Sequence, residues 1–425
     1  MSQRVRVGIL GCGNVGGPLI ELLQRHGDDI AARTGLQLDV AAVAVRSASR
    51  ERSVALPDGV LTTDASAVVG DPSVDVIVEV IGGIEPARSL ITKALEAGKP
   101  VVTANKELLA NVGPELFATA HDAGVDLLFE AAVAGGIPLI RPLRESLVGE
   151  RITRVMGIVN GTTNYILTRM TEEGASYADA LAEAQSLGYA ERDPTADVEG
   201  FDAGAKAAII ASIAFGARVV AGDVYHEGIS GITEADIAYA KRLGYVVKLL
   251  AIIELVDDAV GIRVHPAMVP LSHPLASVRE SYNAVFIEGE AVGNLMFYGR
   301  GAGGFPTASA VLGDLIDASA NLTKGSSATV GTLAARPIRS IDDASSEYYL
   351  NLEVADRPGV LAAVAGVFGR HDVSIRTMEQ EGLGDEARLI FITHTAREAD
   401  VQATLTDLRD LDVVDAVVSL LRVIA

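Results

Sequence analysis

Val5-Arg6-Val7-Gly8-Ile9-Leu10-Gly11-Cys12-Gly13-Asn14-Val15-Gly16 runs from an apolar, β-prone segment directly into glycines spaced G-x-G-x-x-G, and then into a helical pattern. In that context each glycine has a physical task. The first permits the tight turn, the second lets a pyrophosphate approach the backbone, and the third allows close helix–strand packing. The helix that follows offers free amide donors and a partial positive charge to phosphate. Gly11, Gly13, Asn14, Val15 and Gly16 are therefore the candidate dinucleotide contacts. Cys12 fills a spacer slot and reads as a small filler residue rather than a nucleophile.

Downstream, apolar runs at 5–10, 38–45, 74–80, 101–103 and 126–131 alternate with helical patterns such as 17–26 and 86–97. That β-α rhythm predicts an α/β fold with a doubly wound parallel sheet over 1–140. The second strand ends at Arg46, where an NAD-binding site would place a carboxylate for the ribose 2′-hydroxyl. An arginine can instead pair with a 2′-phosphate, which favours NADP over NAD; an ordinary surface arginine is the other reading. Thr103-Ala104-Asn105-Lys106 follows a short strand, at the carboxyl end of the sheet where such folds bind ligands.

At 425 residues, the chain is long enough for two or three domains. Few aromatics and abundant Ala, Val, Ile and Leu suit buried parallel strands and their covering helices. A formal charge of −21 argues against nucleic acid and anionic membranes as partners. No uncharged apolar run reaches the roughly 18–20 residues that span a bilayer, and the first residues lack a cleavable signal layout. One cysteine excludes an intrachain disulfide or a multi-cysteine zinc site. A cytoplasmic location is expected.

The pattern becomes mixed over 141–306. Strands are predicted at 155–159, 246–255, 264–268 and 284–290, and helices at 177–186 and 201–215, which suits a mixed α+β domain carrying a substrate site. A helical run at 307–321 is expected to return to the first domain, which then includes about 307–334. Residues 335–346 read as a linker. Beyond it, 347–425 gives strand 348–354, helix 360–371, strands 373–379 and 387–394, helix 399–411 and strand 413–423, a βαββαβ order.

The chemistry concentrates at 184–206, where Glu191, Asp193, Asp197, Glu199 and Asp202 precede an almost wholly apolar helix that carries Lys206. The i,i+4 spacing puts Asp202 and Lys206 on one helix face. A buried lysine needs a partner or a task.

This segment resembles the signature of homoserine dehydrogenases, A-x3-G-[apolar/aromatic]-small-x2-D-P-x2-D-[aliphatic]-x-G-x-D-x3-K, with every fixed position met. TANKE at 103–107, NGTTN at 160–164 and GAGGFPTAS at 301–309 also resemble the family. The last block is similar to an ACT domain. The resemblance covers the whole chain and implies nicotinamide-dependent interconversion of L-homoserine and L-aspartate 4-semialdehyde, towards threonine and methionine. It implies that Lys206 donates the proton to the aldehyde oxygen. Glu191 and Asp202 would bind substrate, Gly188 and Gly303 would lie at the cofactor, and Lys106 would lie between cofactor and substrate, with Thr103 beside it. Acidic side chains suit the substrate's ammonium. A catalytic lysine must titrate near working pH, and burial with a second ammonium, Lys106, would lower its pKa.

The resemblance further implies a monovalent cation, usually sodium, at Glu130, Val133, Gly135 and Ile137, three of them through main-chain carbonyls. The turn at 355–361 is similar to the ligand turn of ACT domains, with threonine as the implied effector and a homodimer or homotetramer as the assembly. Two other readings remain open. Aspartate-semialdehyde dehydrogenases share the fold and metabolite but need a thioester-forming cysteine, and the one here lies in the phosphate loop. A non-enzymatic, ACT-controlled dinucleotide or amino-acid sensor would bind cofactor without turnover. A fusion to aspartate kinase would need several hundred further residues before Met1, so a monofunctional chain is expected.

Overall fold

The computed structural model describes residues 2–328, 330–382 and 386–424. The first strand, β1 (Gln3–Leu10), leads into α1 (Gly16–Thr34), which stops at Gly35 in the left-handed conformation. Next come β2 (Leu36–Ala44), β3 (Leu61–Thr62), α2 (Ala65–Gly70), β4 (Val76–Glu79), α3 (Ala87–Glu96), β5 (Val101–Thr103), α4 (Lys106–Ala123) and β6 (Leu127–Leu128). Their sheet order is β3-β2-β1-β4-β5-β6, and every pair is parallel. The reversal at β1 places the β1–α1 turn at the topological switch point, where doubly wound sheets bind ligands. The expected strand at 126–131 shortens to Leu127–Leu128 because the chain turns at Glu130–Ala132.

The chain continues through β7 (Ile152–Ile158), α5 (Gly161–Glu173), α6 (Tyr177–Ser186), α7 (Thr195–Val198) and α8 (Phe201–Phe215). It then forms β8 (Tyr225–His226), α9 (Glu234–Arg242), β9 (Tyr245–Val256), β10 (Ala259–Pro270), β11 (Tyr282–Gly289) and β12 (Gly293–Arg300). The bounds of α6 and α8 match the sequence expectation, whereas α5, α9 and β12 were not anticipated. The helix α10 (Gly304–Lys324) packs on α1: Val311, Leu315 and Ala318 join Val5, Val7, Leu19 and Leu23 in one buried core. Each large aliphatic side chain so buried contributes roughly 1.5–3 kcal/mol.

The last block is β13 (Ser345–Ala355), α11 (Val360–Arg370), β14 (Ile375–Gly382), β15 (Glu386–Thr393), β16 (Ala396–Arg397), α12 (Glu398–Arg409) and β17 (Val414–Val423). The short β16 pairs with the start of β13, and the βαββαβ core stands as expected. Its two helices cover one sheet face through Val364, Val367, Phe368, Leu405 and Leu408.

Two compact units emerge. The first comprises Met1–Val155, Gly204–Val224 and Asn283–Arg336; the second comprises Met156–Ala203, Tyr225–Tyr282 and Pro337–Ala425. The βαββαβ block, which has its own core, falls within the second unit, where main-chain and buried polar bonds join it to the rest. β17 extends the sheet by pairing with β10 at Ala267↔Arg422 and Met268↔Val423. On the sheet face opposite its own helices, Asp236 of α9 accepts hydrogen bonds from Tyr349 (3.1 Å), Asn351 (3.3 Å) and Ser419 (2.5 Å). The stretch expected as a linker is also pinned: Val260 N–H donates to the Pro337 carbonyl, and Arg339 N–H donates to the Val260 carbonyl.

Candidate active site

In the first unit, the phosphate-loop glycines show three distinct environments. Gly11 has φ +107°, and a Cβ there would lie 2.8 Å from the Val80 carbonyl oxygen. A Cβ on Gly16 would meet the Gly11 carbonyl oxygen at 2.1 Å, so only glycine lets α1 begin this close to the turn. Gly13 faces open space, with nothing within 4 Å of such a Cβ. One glycine turns the chain, one packs the helix, and one leaves its backbone approachable. Val15 stands at the N-cap of α1, and the Asn14 carbonyl is so close to Gly304 that a Cβ there would approach to 2.6 Å.

Arg46 is exposed, two residues past the end of β2. The burial of Thr103 is complete. Its hydroxyl donates to Glu79 Oε2 at 2.5 Å and accepts from the Asn105 N–H at 3.0 Å. The Thr103 hydroxyl is thereby committed to the protein, leaving its backbone as the part that could meet a ligand. Glu79 was not singled out from sequence. Its Oε1 accepts the N–H groups of Ile81 (2.8 Å) and Gly82 (3.1 Å), and so organises the turn after β4.

Near that turn, a cavity of about 310 Å³ lies within the first unit. Lys106 and Lys206 both line it, together with Gly82, Gly83, Gly135 and Thr307. Lys106 is the first residue of α4, where a cation opposes the helix dipole. Asn105 caps that helix through Oδ1 to the Leu108 N–H (3.1 Å) and ties it to the Gly83 carbonyl through Nδ2 (2.7 Å). Lys206 is buried in the second turn of α8. Gly303, at φ +118°, caps α10 immediately before the turn that brings Thr307 to the cavity.

The 130–137 loop borders the same cavity through Ala131, Ala132, Ala134 and Gly135. Glu130 is buried, and its carboxylate accepts the N–H groups of Leu139 (2.5 Å), Ile140 (2.7 Å) and Arg141 (2.8 Å). This carboxylate organises the chain after the loop, so a cation here would draw chiefly on main-chain carbonyls. Ala134 (φ +56°) and Gly135 (φ +53°) are consecutive left-handed residues that curl the backbone. Val133 and Ile137 flank them, both buried. Among the described residues, no group of three or more His, Cys, Asp or Glu side chains could hold a metal ion.

In the second unit, Gly188 (φ +76°) follows α6, and Glu191 is exposed in the loop before α7. The start of α5 gathers this segment. Thr162 donates its hydroxyl to the Tyr189 carbonyl at 2.7 Å. Asn160 Nδ2 donates to Asp197 at 2.7 Å and to Asp202 at 2.9 Å. The NGTTN stretch was visible in the sequence, but nothing in its spacing showed that Asn160 would join two of the five acidic residues. Asp202 and Lys206 lie one turn apart along α8, as their spacing predicts.

Three family profiles match the chain. They are described as "Homoserine dehydrogenase, NAD binding domain" (residues 11–130), "Homoserine dehydrogenase" (residues 138–316) and "ACT domain" (residues 348–413). A homoserine dehydrogenase of Corynebacterium glutamicum is 52% identical, with 99% of this chain and 96% of that protein covered. One from Mycobacterium tuberculosis is 51% identical over 99% and 98%. A crystal structure of a homoserine dehydrogenase from Thiobacillus denitrificans superposes with TM-score 0.94 at 42% identity, covering 100% of this chain and 99% of the other. A hyperthermophilic archaeal homoserine dehydrogenase in complex with NADPH covers 75% of this chain and 98% of its own, with 30% identity and TM-score 0.64.

Proposed function

The chain belongs to the homoserine dehydrogenase family, and from that premise we propose which of its residues perform the reaction. It is an NAD(P)-dependent oxidoreductase acting on CH–OH, interconverting L-homoserine and L-aspartate 4-semialdehyde, and it carries a C-terminal ACT domain. A nicotinamide group, when bound, supplies or accepts the hydride.

Lys206 is the acid and base. Its ammonium gives a proton to the aldehyde oxygen as hydride reaches the carbon, and in the other direction its amine takes the hydroxyl proton. The observation that carries this role is the cavity itself, which Lys206 shares with Lys106 and with residues beside the Gly303 turn. Lys106 holds the position between cofactor and substrate, where negative charge offsets its unfavourable place at a helix start. Glu191 and Asp202 receive the substrate ammonium. Gly11, Gly13, Asn14, Val15 and Gly16 hold the pyrophosphate, with Thr103, Gly188 and Gly303 completing the cofactor contacts. Arg46 faces a 2′-phosphate and makes NADP the preferred cofactor; the NADPH bound by the archaeal relative is consistent with this.

A monovalent cation, sodium by its chemistry, would sit at the 130–137 loop on Glu130, Val133, Gly135 and Ile137, three of them through main-chain carbonyls. The buried, curled backbone there fits a hard, weakly held ion. Threonine is the effector of the ACT domain, bound between paired modules of a homodimer or homotetramer. The enzyme works in the cytoplasm, on the pool of free amino acids. Residues 1–140 with 307–334 serve the cofactor, 141–306 the substrate and chain pairing, and 347–425 the effector.

Absorbance at 340 nm with homoserine and NADP tests the substrate side. Lys106→Ala is expected to raise the homoserine KM and lower kcat with the fold intact. Unchanged kinetics would remove Lys106 from the site. Millimolar threonine should lower wild-type turnover, and no effect would remove threonine as effector.

A further inference from the structure

Asn160 stands immediately before α5 and is 4% exposed. Its Oδ1 accepts the Thr163 N–H at 2.9 Å and the Thr163 hydroxyl at 3.0 Å, capping the helix. Its Nδ2 donates to Asp197 Oδ1 at 2.7 Å and to Asp202 Oδ2 at 2.9 Å. A side-chain amide has one acceptor and two donors. With the acceptor on a backbone N–H and both donors on carboxylates, only one orientation of the group satisfies the contacts.

Capping alone does not require asparagine. Serine, threonine and aspartate supply the same oxygen at an N-cap. What asparagine adds is the pair of donors, and these join two carboxylates from different elements, Asp197 of α7 and Asp202 of α8. Like charges held together repel and resist ionisation unless a donor lies between them. Thr162, two residues on, ties the Tyr189 carbonyl to the same helix start. The first turn of α5 thus organises the acidic segment ahead of Lys206.

We propose that Asn160 is a positioning residue for homoserine: it clasps Asp197 to Asp202 and keeps both ionised and aimed, without itself touching the substrate. This rests on the reading of Asp202 as a partner of the substrate ammonium.

The test uses full-length Asn160→Ser, Asn160→Asp and Asp202→Asn, with KM for homoserine and for cofactor, kcat, Tm and pH profiles measured on each. Asn160→Ser keeps a cap and replaces the amide's two donors with one shorter hydroxyl. The homoserine KM should rise about tenfold or more, with the cofactor KM within about twofold and Tm within a few degrees of wild type. Asn160→Asp keeps size and cap but turns donors into a third carboxylate. The acid limb of homoserine oxidation should move up by about one pH unit, a change that a purely structural role would not produce. If Asp202→Asn raises the homoserine KM while both Asn160 variants behave as wild type, Asn160 is only a helix cap and the proposal is overturned. If Asp202→Asn itself leaves that KM unchanged, the reading of Asp202 fails instead. A loss of folding common to both Asn160 variants would assign the residue to the fold and overturn the proposal equally.

Discussion

A Cβ on Gly16 would stand 2.1 Å from the carbonyl oxygen of Gly11, while one on Gly13 would meet no atom within 4 Å. The two glycines therefore fail differently when replaced. Gly16→Ala must push α1 away from the turn, so both Tm and cofactor affinity should fall, the latter about tenfold or more. Gly13→Ala should leave the Tm of the cofactor-free protein unchanged and still weaken cofactor binding, because the methyl occupies the approach to the backbone. Thermal unfolding with and without NADP distinguishes them; a Gly13→Ala protein that binds NADP normally would place the pyrophosphate elsewhere.

Arg46 is exposed, so its removal should cost little stability. Loss of a charge-assisted contact to a 2′-phosphate is expected to lower kcat/KM for NADP by about tenfold and leave NAD almost untouched. Arg46→Ala assayed with both cofactors reads this directly. An unchanged ratio would return Arg46 to the surface.

Asp314 of α10 accepts the Glu130 N–H at 2.7 Å and a guanidinium N–H of Arg141 at 3.1 Å. Burial pushes its carboxyl up to about 7, against the opposing pull of the Glu130 N–H and Arg141. A carboxyl whose folded value lies above its unfolded one binds more protons in the fold. Its contribution to stability is full below about pH 4 and is lost as pH rises through 7. Asp314→Asn cannot ionise. Relative to that variant, wild type should lose several degrees of Tm between pH 5 and pH 8, and a constant difference would show that Asp314 does not titrate in that range.

Arg422 of β17 is buried between two carboxylates. It meets Glu398 through Nε (2.8 Å) and Nη2 (2.7 Å), and Glu227 through Nη1 and Nη2, both at 2.9 Å. Burial opposes ionisation of Glu398, but Arg422 outweighs it and holds the carboxyl below the ordinary glutamate range. That contribution is present at neutral pH and is lost as pH falls below about 4. Arg422→Met leaves two carboxylates without their cation and should cost about 3–5 kcal/mol. A Tm within one or two degrees of wild type would show that the triad adds nothing net.

Much of this was legible in the sequence where one local rule sufficed. The alternation of apolar runs with helical patterns announced the parallel sheet, and α6 and α8 have the bounds expected of them. Local rules failed where a distant residue decides the conformation. The strand expected at 126–131 is cut short where the Glu130 carboxylate reaches the amides of 139–141. Helix α5 was hidden because polar residues fill its first turn, and their partners lie far along the chain: Lys248 Nζ donates to Asn164 Oδ1 at 2.9 Å. Residues 335–346 lack the apolar content of a strand, yet their backbone is held by Val260. At the site, burial of a lysine and its i,i+4 spacing from an aspartate pointed to Lys206 and Asp202, whereas Lys106 rested on the family resemblance alone. The supporting contacts of Glu79, Asn105 and Asn160 are side-chain to backbone or side-chain to side-chain bonds with no spacing to reveal them.

The proton-transfer role of Lys206 is tested most directly by Lys206→Ala, with homoserine oxidation followed at 340 nm alongside NADP binding by titration. The expected result is a fall in kcat of about 10²–10⁴ with NADP affinity within a few-fold of wild type. Turnover within a few-fold of wild type, in a variant that still binds NADP, would contradict it.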